Sequence, residues 1–191
     1  MRNPIHSYLK ALIMALAALM LLNTVPSMAA SKAEIDRNAS TALHTLYKNN
    51  VMAKALAKKA KGVLVFPSIL KAGLVVGGQG GNGAMFKHGK PVRYYNIAAV
   101  SAGLQIGAES FGYAMFFMND KALAYLDKSE GWEVGAGPTL VVVDKETAAA
   151  FEKNMSTSTL KDDIYAFVFS QGGLMAGIDL HGSKITRIHP K

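Results

Sequence analysis

The side chains best placed to do chemistry in this chain are basic. Lys54, Lys58, Lys59 and Lys61 crowd one short segment that also holds Leu56 and several alanines. Lys71 follows soon after, and Lys87, Lys90 and Arg93 flank a turn signal at His88-Gly89-Lys90. Lys54, Lys58 and Lys61 stand at i, i+4 and i+7, so a helix would carry them on one face. A basic amphipathic helix of this kind lies on an anionic surface, where each lysine near a headgroup contributes about 1 kcal/mol and a residue such as Leu56 supplies some insertion. The same pattern also suits a solvated helix that packs its alanines on a core. The candidate set for holding acidic headgroups is therefore Lys54, Lys58, Lys61, Lys71, Lys87, Lys90 and Arg93.

Other chemistries find weaker support. Gly78-Gln-Gly80-Gly-Asn-Gly83 has the spacing of a dinucleotide fingerprint, whose glycines open a helix that holds pyrophosphate at its N-terminus. Here Ala84-Met-Phe-Lys-His-Gly-Lys-Pro91 follows, which cannot be a long helix, and no acid stands about twenty positions on. The segment reads instead as a mobile hairpin loop or a bend in a sheet. Gly89-Lys90 runs into Pro91 where a phosphate loop needs Ser or Thr, and Ser68-Ile-Leu-Lys71 has a serine–lysine acylase spacing without its companion motifs. His44, His88, His181 and His189 are not at metal-ligand spacing. Glu109 follows an apolar strand, partly buried or paired with a lysine, and Asp162-Asp163 belongs to a polar loop. No dyad, triad or metal set emerges, so the expectation is a protein that is not an enzyme and carries no cofactor or metal.

The elements that position these residues follow from local signals. Ser31 and Glu34 have capping-box spacing, which predicts a helix to about Lys48 with Ile35, Ala39, Ala42, Leu43 and Leu46 as its apolar stripe. Asn49-Asn50 breaks it, and a second helix is predicted from Val51 to Lys61, ending at Gly62. Strands are then predicted at 63–66, 73–79, 83–87, 92–100, 104–108 and 113–118. A short helix over 120–126, capped by Asn119 or Asp120, leads to strands at 133–135 and 139–143. An alanine-rich helix is expected over 145–153, an exposed loop over 155–163, and strands at 164–170, 174–180 and 184–188. His88-Gly89-Lys90 and His181-Gly-Ser183 are hairpin signals. One member each of Tyr94-Tyr95 and Phe116-Phe117 should face a core, and Trp132 should pack at a strand end. Many close strands with few helices argue for a barrel or sandwich with packed helices.

The chain has 191 residues, no cysteine and a net charge of +8. The first stretch carries Arg2 and Lys10 and no acid, then an unbroken apolar run from Ala11 to Leu22, then Ser27-Met-Ala29. This is the pattern of a secretory signal peptide cleaved after Ala29. At about 1.5 Å per residue the apolar run is too short to cross a hydrocarbon layer about 30 Å thick. Residues 30–191 then suit one domain. The absence of cysteine excludes a disulfide framework, a thiolate metal site and lipid attachment through a cysteine. Excess positive charge favours anionic partners, and export argues against nucleic acid.

Glycine inside an apolar strand marks a bulge, a bend or a close backbone approach. Such glycines stud Ala60–Pro67, Lys71–Gly83 and Phe169–Ile185, so the sheet should be strongly curved and close on itself. With Gly103-Leu-Gln-Ile-Gly-Ala-Glu109 and Gly135-Ala-Gly-Pro-Thr139, these segments resemble, in the same order, the signature of the SYLF domain. The resemblance spans roughly Ile35 to Ile188, and the chain departs from the family's Trp-Ser-type segment at Tyr94-Tyr95-Asn96. It implies an α+β fold, an antiparallel β-barrel-like core with about three helices packed on its outside. It also implies lipid binding, known from actin-patch proteins and secreted bacterial proteins.

The combined expectation is a signal peptide over 1–29 and a single SYLF-like domain over 30–191, periplasmic or secreted. It would bind anionic phospholipid headgroups weakly at the cell envelope. The alternative is an envelope protein-interaction or structural component that uses the glycine-rich segment around Gly77–Gly83 and binds no lipid.

Overall fold

The computed structural model describes residues 30–73, 76–102, 107–128, 131–154, 160–170, 173–175 and 181–191. The expected leader at 1–29 lies outside the described residues, as do most of the expected loop at 155–163, most of the strand expected at 174–180 and the start of the strand expected at 104–108. Among the described residues no helix is long and apolar enough to cross a membrane.

The Ser31 side chain accepts from the Glu34 amide at 3.3 Å and opens α1 (Lys32–Asn49). Ile35, Ala39, Leu43 and Leu46 are its buried stripe, as their spacing predicts. Asn50 ends α1 and caps the next helix, its side chain accepting from the Ala53 amide at 2.8 Å. That helix, α2 (Val51–Ala57), is shorter than expected. Lys58 is its C-cap, and the Lys61 amide already donates to the Phe117 carbonyl at 2.8 Å. The sheet claims Lys61 and Gly62 before the helix can reach them. A Cβ on Gly62 would stand 2.8 Å from the Met85 sulfur, so the chain enters the sheet through its one side-chain-free position.

Four long strands replace the shorter pieces expected: β1 (Gly62–Gly73), β2 (Val76–Lys87), β3 (Lys90–Ala102) and β4 (Gly107–Phe117). Of the two readings of the glycine-rich segment, a mobile hairpin loop or a bend in the sheet, the structure takes the sheet: it is the middle of β2, paired residue by residue with β3 from Gly77↔Ser101 to Gly83↔Tyr95. Its glycines answer a bulge in β1. Phe66 pairs with Tyr113 and Ile69 with Phe111, so Pro67 and Ser68 together oppose the single Gly112. The displaced β1 backbone presses on β2: a Cβ on Gly81 would meet the Ser68 carbonyl at 2.4 Å, and one on Gly83 the Val65 carbonyl at 2.4 Å. His88 and Gly89, at φ 51° and 75°, form the two-residue turn expected between β2 and β3.

The remaining elements are α3 (Asp120–Leu126), β5 (Trp132–Glu133), β6 (Leu140–Val142), α4 (Lys145–Asn154), β7 (Ile164–Ser170), β8 (Gly173–Leu174) and β9 (Lys184–Ile188). They join one sheet in the order β5-β9-β3-β2-β1-β4-β7-β6, with β8 added to β7. Among the described residues every pairing is antiparallel except β6 with β7, between which α4 lies in the chain as a crossover helix. β5 and β6 end the path, so among the described residues the sheet curls into a half-barrel rather than closing.

Both sheet faces are covered, which explains the paired aromatics. Val63, Val65, Phe86, Tyr94, Phe116 and Phe167 form an outer core with α1, α2 and α4. Leu64, Phe66, Met85, Tyr95, Phe117 and Trp132 form an inner core, with α3 packed at its margin. Tyr94-Tyr95 and Phe116-Phe117 therefore place one ring in each core. Trp132 is buried and donates to the Ala136 carbonyl at 2.7 Å, the packed strand end that was expected.

Candidate functional site

The lysines converge by a different route from the one their spacing suggests. Lys58 sits at the end of α2, Lys59 follows it, Lys61 stands on the approach to β1, and Lys87 closes β2. These four line one groove of about 740 Å³, walled by α1 and by the β2–β3 turn. His44 of α1 and His88 of the turn join them, and Asp120 is the single carboxylate among the described lining residues. Tyr47 and Phe86 supply apolar wall. Such a groove concentrates positive potential where its walls limit screening, and it suits a phosphate-bearing ligand.

The other candidates lie elsewhere. Lys54 is exposed on α2, one turn before the groove, and Lys90 is exposed across the turn from Lys87. Neither lines it. Lys71 is near the far end of β1, roughly 30 Å from Lys61 at about 3.3 Å per residue. Its strand neighbours there are Gln79 and Glu109, and Glu109 is exposed rather than partly buried. Arg93 is committed to Asp127 in an ion pair, and the Tyr95 hydroxyl donates to the same carboxylate at 2.9 Å. Leu56 cannot insert into a membrane, because it is fully buried in the outer core. The early end of α2 also removes the single helical face expected for Lys54, Lys58 and Lys61.

Other sequence signals resolve as structural. Ser68 faces outward to Ser110, whereas Lys71 shares a row with Gln79, whose buried side chain donates to the Ser183 hydroxyl at 3.1 Å on the inner side. The serine–lysine spacing thus divides across the sheet. Asp163 is a connector: Asn119 donates to it at 2.7 Å and the Thr139 amide at 3.0 Å. The Asn119 bond leads the causes that hold its carboxyl below the ordinary range. No cluster of metal-binding side chains exists among the described residues.

Two expected results arise here. Arg93→Gln should lower stability by about 1–2 kcal/mol, because it strips a charged donor from Asp127, while leaving anionic-vesicle affinity within about twofold. Chemical denaturation and vesicle co-sedimentation of the same sample separate the two effects. The second concerns alkaline pH. Burial pushes the Tyr47 hydroxyl up to about 12. Burial first, and then the bond to Asp127, push Tyr95 to about 12. Both phenols therefore hold their protons more tightly in the folded chain than at the ordinary value of 10.0. Their contribution is full below pH 10 and is lost as pH rises through about 12. Denaturation midpoints should fall across that window, and Tyr95→Phe should flatten the fall.

Sequence reasoning did not place Lys59, His44, Tyr47 or Asp120 at the site. Lys59 was legible as part of the basic run, but the α1 residues enter only through packing. Residues 98–189 match the Ysc84 family, described as Las17-binding protein actin regulator. No curated protein matches the chain.

Proposed function

We propose that this chain, whose residues 98–189 match the Ysc84 family, is a SYLF-type module that binds anionic phospholipid headgroups. The observation that carries this reading is the convergence of Lys58, Lys59, Lys61 and Lys87 in one groove with a single carboxylate among its described residues. A phosphate entering it exchanges water for several ammonium groups at once, each near-surface lysine contributing about 1 kcal/mol. The attraction is electrostatic and so is screened within about 10 Å at 0.1 M salt. The leader pattern at 1–29 adds the proposal that binding takes place at the cell envelope after export. N-terminal sequencing of the secreted form should begin at Ala30.

The test is co-sedimentation of the protein with vesicles. Binding should appear with anionic vesicles at low salt, fall steeply at high salt and be absent with neutral vesicles. Equal binding to both vesicle types, or anionic binding that persists unchanged at high salt, sinks the electrostatic mechanism. No binding to either returns the groove to an ordinary solvated surface.

A further inference from the structure

The flank of α1 opposite the lysines holds a second groove of about 720 Å³ with different chemistry. The lysine groove takes Ser40, His44 and Tyr47 from α1, and this one takes Arg37, Asn38, Thr41 and Thr45. Its far wall is the β1 bulge, where the Ser68 and Ser110 hydroxyls stand 2.8 Å apart. One hydroxyl proton satisfies that contact, and the other hydroxyl of the pair keeps a proton to donate outward. The Phe169 ring lies across Gly112, where a Cβ would stand 2.6 Å from it, and forms an apolar floor. Among the described residues no Asp or Glu lines the groove, and Arg37 is its single cation. Among the described residues Arg37 takes part in no ion pair.

The groove opens onto bare sheet. Leu70 pairs directly with Ser110, and Ala72 with Ala108 one step further along the strands. Ala72 continues through Gly78 to Val100, so these residues share the outer face. The outer helices leave this end uncovered: Leu70 is 55% and Val100 83% exposed, and Ala72, Ala98 and Ala108 are exposed too. The described residues of this strip carry no charge. At about 4.8 Å between strands, its run from β4 to β3 is roughly 14 Å. An exposed apolar strip of this extent beside an exposed cation is unusual for a solvent face.

We infer that this second groove binds a single-chain amphiphile with one anionic head: a long-chain carboxylate whose head meets Arg37 and the Ser68–Ser110 hydroxyls and whose chain lies along Leu70, Ala72, Ala108 and Val100. Charge complementarity selects the head, since one guanidinium with no competing carboxylate matches one planar carboxylate through paired N–H donors. The uncharged strip selects the tail. The volume falls within the range of sites that hold small ligands. This site is separate from the lysine groove and does not depend on vesicle binding there.

The test titrates the full-length protein with cis-parinaric acid, a fluorescent long-chain carboxylate, below its micelle concentration. Saturation should be one to one. Arg37→Ala and Leu70→Ser, both at exposed positions, should each weaken it about tenfold, and the combined Lys58, Lys61 and Lys87 alanine variant should not change it. Palmitate should displace the probe; hexanoate and inorganic phosphate should not. Probe affinity that ignores both Arg37→Ala and Leu70→Ser overturns the assignment. Displacement by inorganic phosphate alone would make the groove a simple anion site, and loss of binding in the lysine variant would move the ligand to the other groove; either result also overturns it. Because the lysine variant reads vesicle binding and the Arg37 and Leu70 variants read probe binding, failure of one proposal is distinguishable from failure of the other.

Discussion

Alanine at Lys58, Lys61 and Lys87 together is expected to lower affinity for anionic vesicles about 100-fold at low salt. Three headgroup contacts at about 1 kcal/mol each give ~3 kcal/mol, and 1.4 kcal/mol is a factor of ten. The effect should shrink at high salt, where the wild-type contacts are already screened. Lys58 and Lys61 are exposed and Lys87 is partly so, and none of the three is in an ion pair among the described residues. Folding should therefore be unaffected, and the thermal midpoint of the triple variant serves as the check. Lys54→Ala and Lys71→Ala give the geometric control. Lys54 is not among the groove's lining residues, and Lys71 lies at the other end of β1. If each weakens binding as much as a groove lysine does, net charge rather than the groove governs the interaction. If the triple variant loses less than threefold, the groove is not the headgroup site.

Phe116→Ala should remove about 3–5 kcal/mol of stability, the usual cost of deleting a fully buried ring from a core. Phe116 is completely buried and sits in β4 opposite Val63 of β1 and Tyr165 of β7. Its ring packs edge-on against Phe167 at 5.3 Å and at a tilt against Tyr47 of α1 at 6.3 Å. Each aromatic pair contributes roughly 0.5–1.5 kcal/mol beyond area burial. The substitution therefore opens a cavity in the outer core and loosens the docking of α1 as well. At about 2–4 °C per kcal/mol for a chain of this size, the thermal midpoint should drop by roughly 10 °C or more. Val100→Ser, on the bare strip, should change it by less than about 0.5 kcal/mol. A Phe116→Ala midpoint within 3 °C of wild type would mean that α1 and the sheet are held by contacts other than this cluster. Because α1 also walls the lysine groove, vesicle binding should weaken in step with the midpoint in this variant.

Local signals were legible wherever a short-range bond decides the structure. Ser31, Asn50 and Asn119 each cap the helix that follows with a side-chain oxygen, and β7, β9 and α3 begin and end where their residues suggest. His88-Gly89 forms the expected turn, because two consecutive residues at positive φ favour a tight antiparallel return. The boundary of α2 was not legible. Its helical periodicity runs on to Lys61, but the backbone bond from Lys61 to Phe117 belongs to a residue far along the chain. Which of its two readings, loop or bend in the sheet, the glycine-rich segment takes was not legible for a related reason. Glycines suit a loop and suit a strand crowded by its neighbour, and only the β1 bulge, with its carbonyls 2.4 Å from where Cβ atoms would stand on Gly81 and Gly83, separates the two.

The amino-acid order by itself determined the cap positions, the tight turns, the alternation that sends Tyr94 and Tyr95 to opposite faces, and the glycine pattern that resembles the SYLF signature. Each of these depends on bonds or side-chain directions set within a few residues. Tertiary structure alone decided which basic residues meet. It placed Lys87 beside Lys58 through strand pairing, sent Lys71 to the far end of the sheet, committed Arg93 to Asp127 and buried Leu56. Those outcomes depend on the β1 bulge, the sheet register and the packing of α1, interactions between segments distant in sequence that residue spacing does not encode.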